Sequence, residues 1–288
     1  MAFRSHARAA GGLRRRRRRR RTRFTIVLRF IRLWLRAVRN TMAAHRPAVR
    51  ILAGSVILLF VWLSVNWLYQ TINKPTEVFF PLDDTLDKNP RETWRQYGSL
   101  FREHSTSVIT PELLAALAQV EGGGNPVART YWRWHLTWNP LEWYQPASSA
   151  VGMYQITDGT FHEAKRYCIH DHVVVEDGPW HDLNSCWFNS LYTRVFPSHA
   201  IELTSALLDH NVASALRHRR SAPATFKRKQ DLAAVIHLCG AGAGRDYAAR
   251  GFRLTLHQRC GDHDVSTYLV RVNVMKRQFA QLAAASSY

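Results

Sequence analysis

Residues 51–69, ILAGSVILLFVWLSVNWLY, carry no charge over 19 positions. As a helix rising 1.5 Å per residue the run is about 28 Å long, close to the roughly 30 Å hydrocarbon core of a bilayer. Trp62, Trp67 and Tyr69 lie in its second half, the last two where the outer interface would be. The run starts deep in the chain and lacks a small-residue cleavage site, so it reads as an uncleaved anchor and not a signal peptide. A buried core helix is the competing explanation for such a run, and the residues before it argue against that.

Residues 1–50 hold 17 arginines, no lysine and no acidic residue. The rest of the chain has 23 basic and 21 acidic residues, a net +2, so the formal +19 belongs mostly to the leader. Eight consecutive arginines, residues 14–21, repel one another and bury nothing. Within residues 24–39, Arg29, Arg32, Arg36 and Arg39 share one helical face while Phe30, Ile31, Leu33, Trp34 and Leu35 fill much of the rest. That is the pattern of a helix lying in a headgroup layer. An arginine-rich nucleic-acid binder is the other class to weigh. The anchor and the near-neutral remainder disfavour it, and no nucleic-acid partner is expected. The arginines precede the anchor, so residues 1–49 are predicted to be cytoplasmic, 50–70 transmembrane, and everything after exported.

Cysteine usage agrees. Cys168, Cys186, Cys239 and Cys260 all follow the anchor and are even in number, which in an oxidising compartment implies two disulfides. Three connectivities are possible, and proximity favours Cys168–Cys186 with Cys239–Cys260. Cys168 clusters with His170 and His172, and Cys260 with His257 and His263, but neither group has an accepted zinc spacing, so no metal or cofactor is expected.

The exported part begins with a proline-marked, acidic stretch, residues 71–90, predicted as a tether. Residues 91–104 then read as a lead-in helix with Trp94, Tyr97 and Phe101 on one face. Residues 105–288 suffice for one well-cored domain. Its first helix is sharply marked: Thr110 caps it, Pro111 takes the first position, Leu113, Leu114, Leu117 and Val120 form an apolar face, and Gly122, Gly123 and Gly124 stop it. Glu121 falls on that apolar face in the last turn, where desolvation and the helix dipole both disfavour the anion. A carboxyl so placed suits a general acid, although a solvated Glu at a frayed end has the same spelling.

Six aromatic residues, Tyr131, Trp132, Trp134, Trp138, Trp143 and Tyr144, crowd into 14 positions. They lack a clean period, and core packing and stacking on sugar rings are equally compatible with them. Ser149 to Ile156 follows, with Gly152 permitting an unusual dihedral. A helix should start near Thr157, and residues 168–190 read as a disulfide-bearing loop. Further helices are predicted over residues 200–216, 232–239 (capped by Asp231, after a solvated turn at Lys227, Arg228 and Lys229) and 265–284. The second ends in Gly240-Ala241-Gly242-Ala243-Gly244, which no strand precedes, so a dinucleotide fingerprint is rejected.

Three of these pieces coincide with one family. Val120-Glu121-Gly122-Gly123-Gly124-Asn125-Pro126 resembles the first motif of the lytic transglycosylase SLT family, whose catalytic Glu closes a helix and is usually followed by Ser. Ser149 to Ile156 resembles its second motif, Gly-Leu-Met-Gln-Ile/Leu, through Gly152 and Gln155. Ala234 to Gly244 resembles the third, Ala-Tyr-Asn-x-Gly-x-Gly, with His237 in place of Tyr and Leu238 in place of Asn. The order is right, and the resemblance covers residues 105–285. It implies a mainly α, lysozyme-like domain behind a single N-terminal transmembrane helix. It also implies Glu121 as the one catalytic acid and then base, with Ser149, Gly152, Met153, Tyr154, Gln155 and His237 around the substrate. Gly152, Met153 and Tyr154 would line the cleft, Gln155 would orient the sugar or Glu121, and His237 would stand in for the missing Tyr as a hydrogen-bond partner. Peptidoglycan glycan strands are then the partner, cleaved to 1,6-anhydro products by a protein of the bacterial inner membrane whose domain faces the periplasm; proteins of a larger envelope complex are open as partners. A muramidase that adds water and an inactive glycan-binding scaffold are the alternatives. A two-carboxylate hydrolase would need a second acid, for which Glu142 and Asp158 are the candidates.

Overall fold

The computed structural model describes residues 47–285 apart from 83, 180, 183, 184 and 218–222. The arginine run and the basic segment of residues 24–39 lie outside the described residues. The chain divides into two units, residues 1–67 and 68–288. The fold is mainly helical, with seven helices among the described residues.

Helix α1, Pro47–Asn73, contains the chargeless run. It is long and apolar enough to cross a membrane, and none of its apolar window is buried. Ile51, Leu58 and Phe60 are each about two-thirds or more exposed. A helix that is apolar all round and uncovered by protein has the surface of a membrane span, whereas a soluble core helix would be buried.

In the second unit, helix α2, Pro90–Glu103, is capped by Asn89, whose side chain accepts from the Glu92 amide at 3.0 Å. It buries Trp94, Tyr97 and Phe101, the predicted face. Helix α3, Pro111–Gly122, matches its sequence signals at both ends: Thr110 accepts from the Leu113 amide, and Gly123 terminates it at φ 58°. Residues 113–118 of α3 are all buried. Ala115, Ala116 and Ala118 are small enough to let neighbours approach on the faces the leucines do not fill. α3 is thus the central helix, packed between α2 and the last helix, α7, Val265–Ala285. Trp94 of α2 meets Phe279 of α7 with ring centroids 5.9 Å apart. The short helix α4, Asp158–Ala164, starts at the Thr157 cap. Helix α5, Pro197–Arg217, packs on α4 and on α6, Phe226–Ala249.

Three antiparallel hairpins interrupt the helices. β1, Trp132–Trp134, pairs with β2, Tyr144–Pro146; β3, Tyr167–His170, with β4, Val173–Glu176; and β5, Arg259–Cys260, with β6, His263–Asp264. The stretch read as a disulfide-bearing loop, residues 168–190, therefore opens with the β3–β4 hairpin. The favoured cysteine pairing is present: Cys168–Cys186 ties β3 to the segment beyond β4, and Cys239–Cys260 ties α6 to β5.

Two local expectations change. α6 is capped by Thr225, which accepts from the Arg228 amide, so Lys227, Arg228 and Lys229 form its first turn. Asp231 lies inside the helix, accepting from Lys227 at 2.7 Å and from Asn273 of α7 at 2.9 Å. The helix does stop at the glycine-rich run as expected, but a second helical stretch follows directly, which the sequence reading did not include. The backbone breaks at Gly240 (φ 82°, ψ 167°) and helical structure then resumes to Ala249. The break brings Gly244 back onto Ile236, where a Cβ would lie 2.2 Å from the Ile236 Cγ1. Packing at that corner outweighs the poor helix propensity of glycine.

The stretch predicted as a tether is packed. Pro75–Leu82 forms 3₁₀ turns. Glu77 within them is fully buried, bonded to Arg129 Nη1 at 2.7 Å and Trp132 Nε1 at 2.8 Å. Sequence reading missed this because a buried ion pair leaves no periodic pattern.

Candidate active site

Glu121 is the last residue but one of α3. Its side chain is 18% exposed, so one edge reaches solvent while the rest is walled in. Tyr268 of α7 is buried and donates its hydroxyl to Glu121 Oε1 at 2.5 Å. Burial first, and then the Glu121 charge, push the Tyr268 phenol well above its usual range, so it stays a donor. His237 of α6 brings Nε2 to 3.8 Å from the same Oε1, too far for a hydrogen bond. Burial lowers the His237 pKa, opposed by the Glu121 charge and by a hydrogen bond to the Tyr154 backbone. His237 is therefore mainly neutral at pH 7. Both contacts fall on Oε1, and Oε2 is the oxygen to which neither is made.

The second sequence motif forms a tight reversal. Val151 and Ile156 pair through both backbone bonds, with residues 152–155 as the turn. Gly152 has φ 79°, and a Cβ there would be 2.5 Å from the Arg194 carbonyl, so no other residue fits without movement. Gln155 also has positive φ, 48°, and its amide group donates to the Ala128 and Gly152 carbonyls. It thus braces the turn, and neither of these bonds goes to Glu121. Met153 is fully buried in the main core and its side chain does not line a cleft. Its backbone touches the Glu121 helix: a Cβ on Gly122 would be 2.8 Å from Met153 Cα. This approach accounts for a glycine at position 122, where a side chain would meet the Met153 backbone. Tyr154 is buried too, donating to the Leu114 carbonyl at 3.2 Å, with its ring edge-on to His237. Ser149 accepts from the Asp158 amide at 3.1 Å through its hydroxyl, as a cap-like brace.

Tyr154, Gln155, His237, Leu238 and Gly240 meet across a cavity of about 200 Å³, closed on its far side by α5. His237 belongs both to this cavity and to the Glu121 cluster. The cavity is below the roughly 300–1,000 Å³ of sites that enclose a drug-sized ligand, so it suits one substituent and not a whole chain.

Two participants were missed in the sequence. Tyr268 lies within the helix predicted over residues 265–284, where it has the spelling of any core aromatic residue. Arg194 donates to the Ser149 and Ile156 carbonyls, each at 2.9 Å, and pairs with Asp158 at 2.7 Å. It clamps the second motif from outside, and nothing in its neighbourhood of the sequence announces that. The rival acids are occupied elsewhere: Asp158 is 71% exposed on Arg194, and Glu142 accepts from Asn139. No family model, curated protein or solved structure matches this chain.

Proposed function

We propose that the chain is a membrane-anchored peptidoglycan lytic transglycosylase with a lysozyme-like domain. One observation carries the reading: the three segments singled out in the sequence pack against one another at the Glu121 end of α3. The Met153 backbone packs on Gly122, the Tyr154 ring meets His237, and His237 faces Glu121. In this reading Glu121 Oε2 protonates the glycosidic oxygen that follows an N-acetylmuramic acid unit, and the C1–O bond breaks. The resulting carboxylate takes the proton from that sugar's 6-hydroxyl as its oxygen closes on C1, giving the 1,6-anhydro ring. Acid and base are the same group, so no second carboxylate is required, in keeping with the engagement of Asp158 and Glu142 elsewhere. Tyr268 holds Oε1 and leaves Oε2 to exchange the proton. The arginine-rich leader and α1 support a single-pass bacterial inner-membrane protein with a cytoplasmic N-terminus, its domain facing the periplasm. The disulfides fit that side of the membrane.

Digestion of purified peptidoglycan by the full chain in detergent, followed by mass spectrometry, tests the proposal. Anhydro ends are expected. Reducing ends would make the protein a muramidase, and binding without products would make it a scaffold, the outcome favoured by His237 and Leu238 in the third motif.

A further inference from the structure

We propose that the β1–β2 hairpin is a second membrane contact, seated in the lipid headgroup layer. The proposal rests on the reading that α1 spans a bilayer. The hairpin tip is ordered and yet apolar outward. Trp138 and Leu136 are essentially fully exposed, at 104% and 92%, and Trp134 is 65% exposed. The tip is no frayed loop: the Trp143 indole donates to the Thr137 carbonyl at 2.8 Å, and Asn139 bonds both the Leu141 amide and Glu142. A network that rigidly holds a Trp and a Leu in water requires something to cover them.

The occupant follows from what the hairpin is tied to. Gln70 donates to the Leu141 carbonyl at 2.8 Å, and Lys74 to the Ser148 carbonyl at 3.1 Å. Buried Glu77 binds Arg129 and the Trp132 indole. Gln70 directly follows the apolar run of residues 51–69, so Leu141 is tied to the chain within one residue of the end of that run. Trp138 is three residues from Leu141, at most about 11 Å along the chain. The headgroup layer is some 5–8 Å thick on each side of the hydrocarbon. Indole rings with an apolar body and a polar edge partition into that layer, and Leu136 suits it where it would not suit a sugar platform. Arg133 and His135 are exposed beside them and complement anionic headgroups, with Glu142 the one acid at the tip. The two segments leaving the base of this hairpin meet again at the isolated Arg129–Val151 bridge, at the second motif. Seating the tip would therefore fix the height of the candidate active site above the bilayer.

The test is photo-crosslinking of the full chain in vesicles of phosphatidylethanolamine and phosphatidylglycerol. Benzoylphenylalanine replaces Leu59, Trp138 or Leu256 in turn, the last being 90% exposed and far along the chain from the hairpin. Lipid adducts are expected at 59 and 138 and not at 256. Adducts at 59 alone would overturn the hairpin proposal while leaving the anchor standing. No adduct at 59 would remove the anchor and the proposal with it. Equal labelling of 138 and 256 would mean random collision, and glycan adducts at 138 on adding sacculi in place of lipid adducts would mean a sugar platform. Either result overturns the proposal.

Discussion

Removing the Tyr268 hydroxyl is the sharpest probe of the proposed site, because Tyr268→Phe leaves the ring packing alone. The bond it deletes is 2.5 Å long and ends on a carboxyl that is 18% exposed. Hydrogen bonds to charged groups contribute roughly 1.5–3 kcal/mol. Partial access of water to Glu121 reduces this to about 1–2 kcal/mol. The assay is a double-mutant cycle on unfolding of residues 68–288 with Tyr268→Phe, Glu121→Gln and the pair. A coupling of at least about 1 kcal/mol is expected, against the roughly 0.3–0.5 kcal/mol scatter of independent sites. In peptidoglycan cleavage the same energy lowers kcat about 5–30-fold, with KM little changed, since buried Tyr268 does not reach the substrate. A coupling within the additive scatter would refute the claim that Tyr268 holds Glu121. A change confined to KM would show that Tyr268 acts on binding.

Other consequences are equally direct. Glu121→Gln should lower cleavage by about 10²–10⁴-fold and leave glycan binding intact, while Asp158→Asn and Glu142→Gln stay mild; equal loss at either acid would indicate a two-carboxylate hydrolase. Gly122→Ser should destabilise by about 1–3 kcal/mol because its Cβ meets the Met153 backbone, and an unchanged denaturation midpoint would contradict that packing. Asp264 caps α7 by accepting from Ser266 and Thr267, bonds that lower its carboxyl to about 2. Its folded pKa lies below the usual 3.8, so this stabilisation is complete above about pH 4 and lost as pH falls towards 2; Asp264→Asn should flatten that limb of a melting-temperature profile. Burial likewise depresses His237, so its contribution is whole above about pH 6.5 and declines as pH drops, a slope that His237→Gln should remove from stability curves. Thiol labelling of the unfolded, unreduced chain should find no free cysteine, and removing the Cys239–Cys260 link should cost about 3 kcal/mol.

Much of this protein was legible in its sequence because the deciding physics is local or periodic. The apolar run of α1 is a matter of length and charge. The ends of α3 are written in Thr110, Pro111 and Gly123, each of which acts on backbone groups within a turn of itself. The disulfide pairing followed sequence proximity. Glu121 could be singled out because one residue interrupts an apolar face just before a stop. What the sequence left open depends on partners far along the chain. Tyr268 lies 147 positions from Glu121 and reaches it only because α7 packs along α3. Met153 and Gln155 look like cleft residues in a motif, yet the positive-φ turn sends one side chain into the core and spends the other on backbone carbonyls. Glu77 looks like a linker carboxylate until Arg129 and Trp132 close over it. In each case a single polar atom finds its mate through the tertiary fold, and a hydrogen bond, unlike an apolar face, has no period to leave in the sequence.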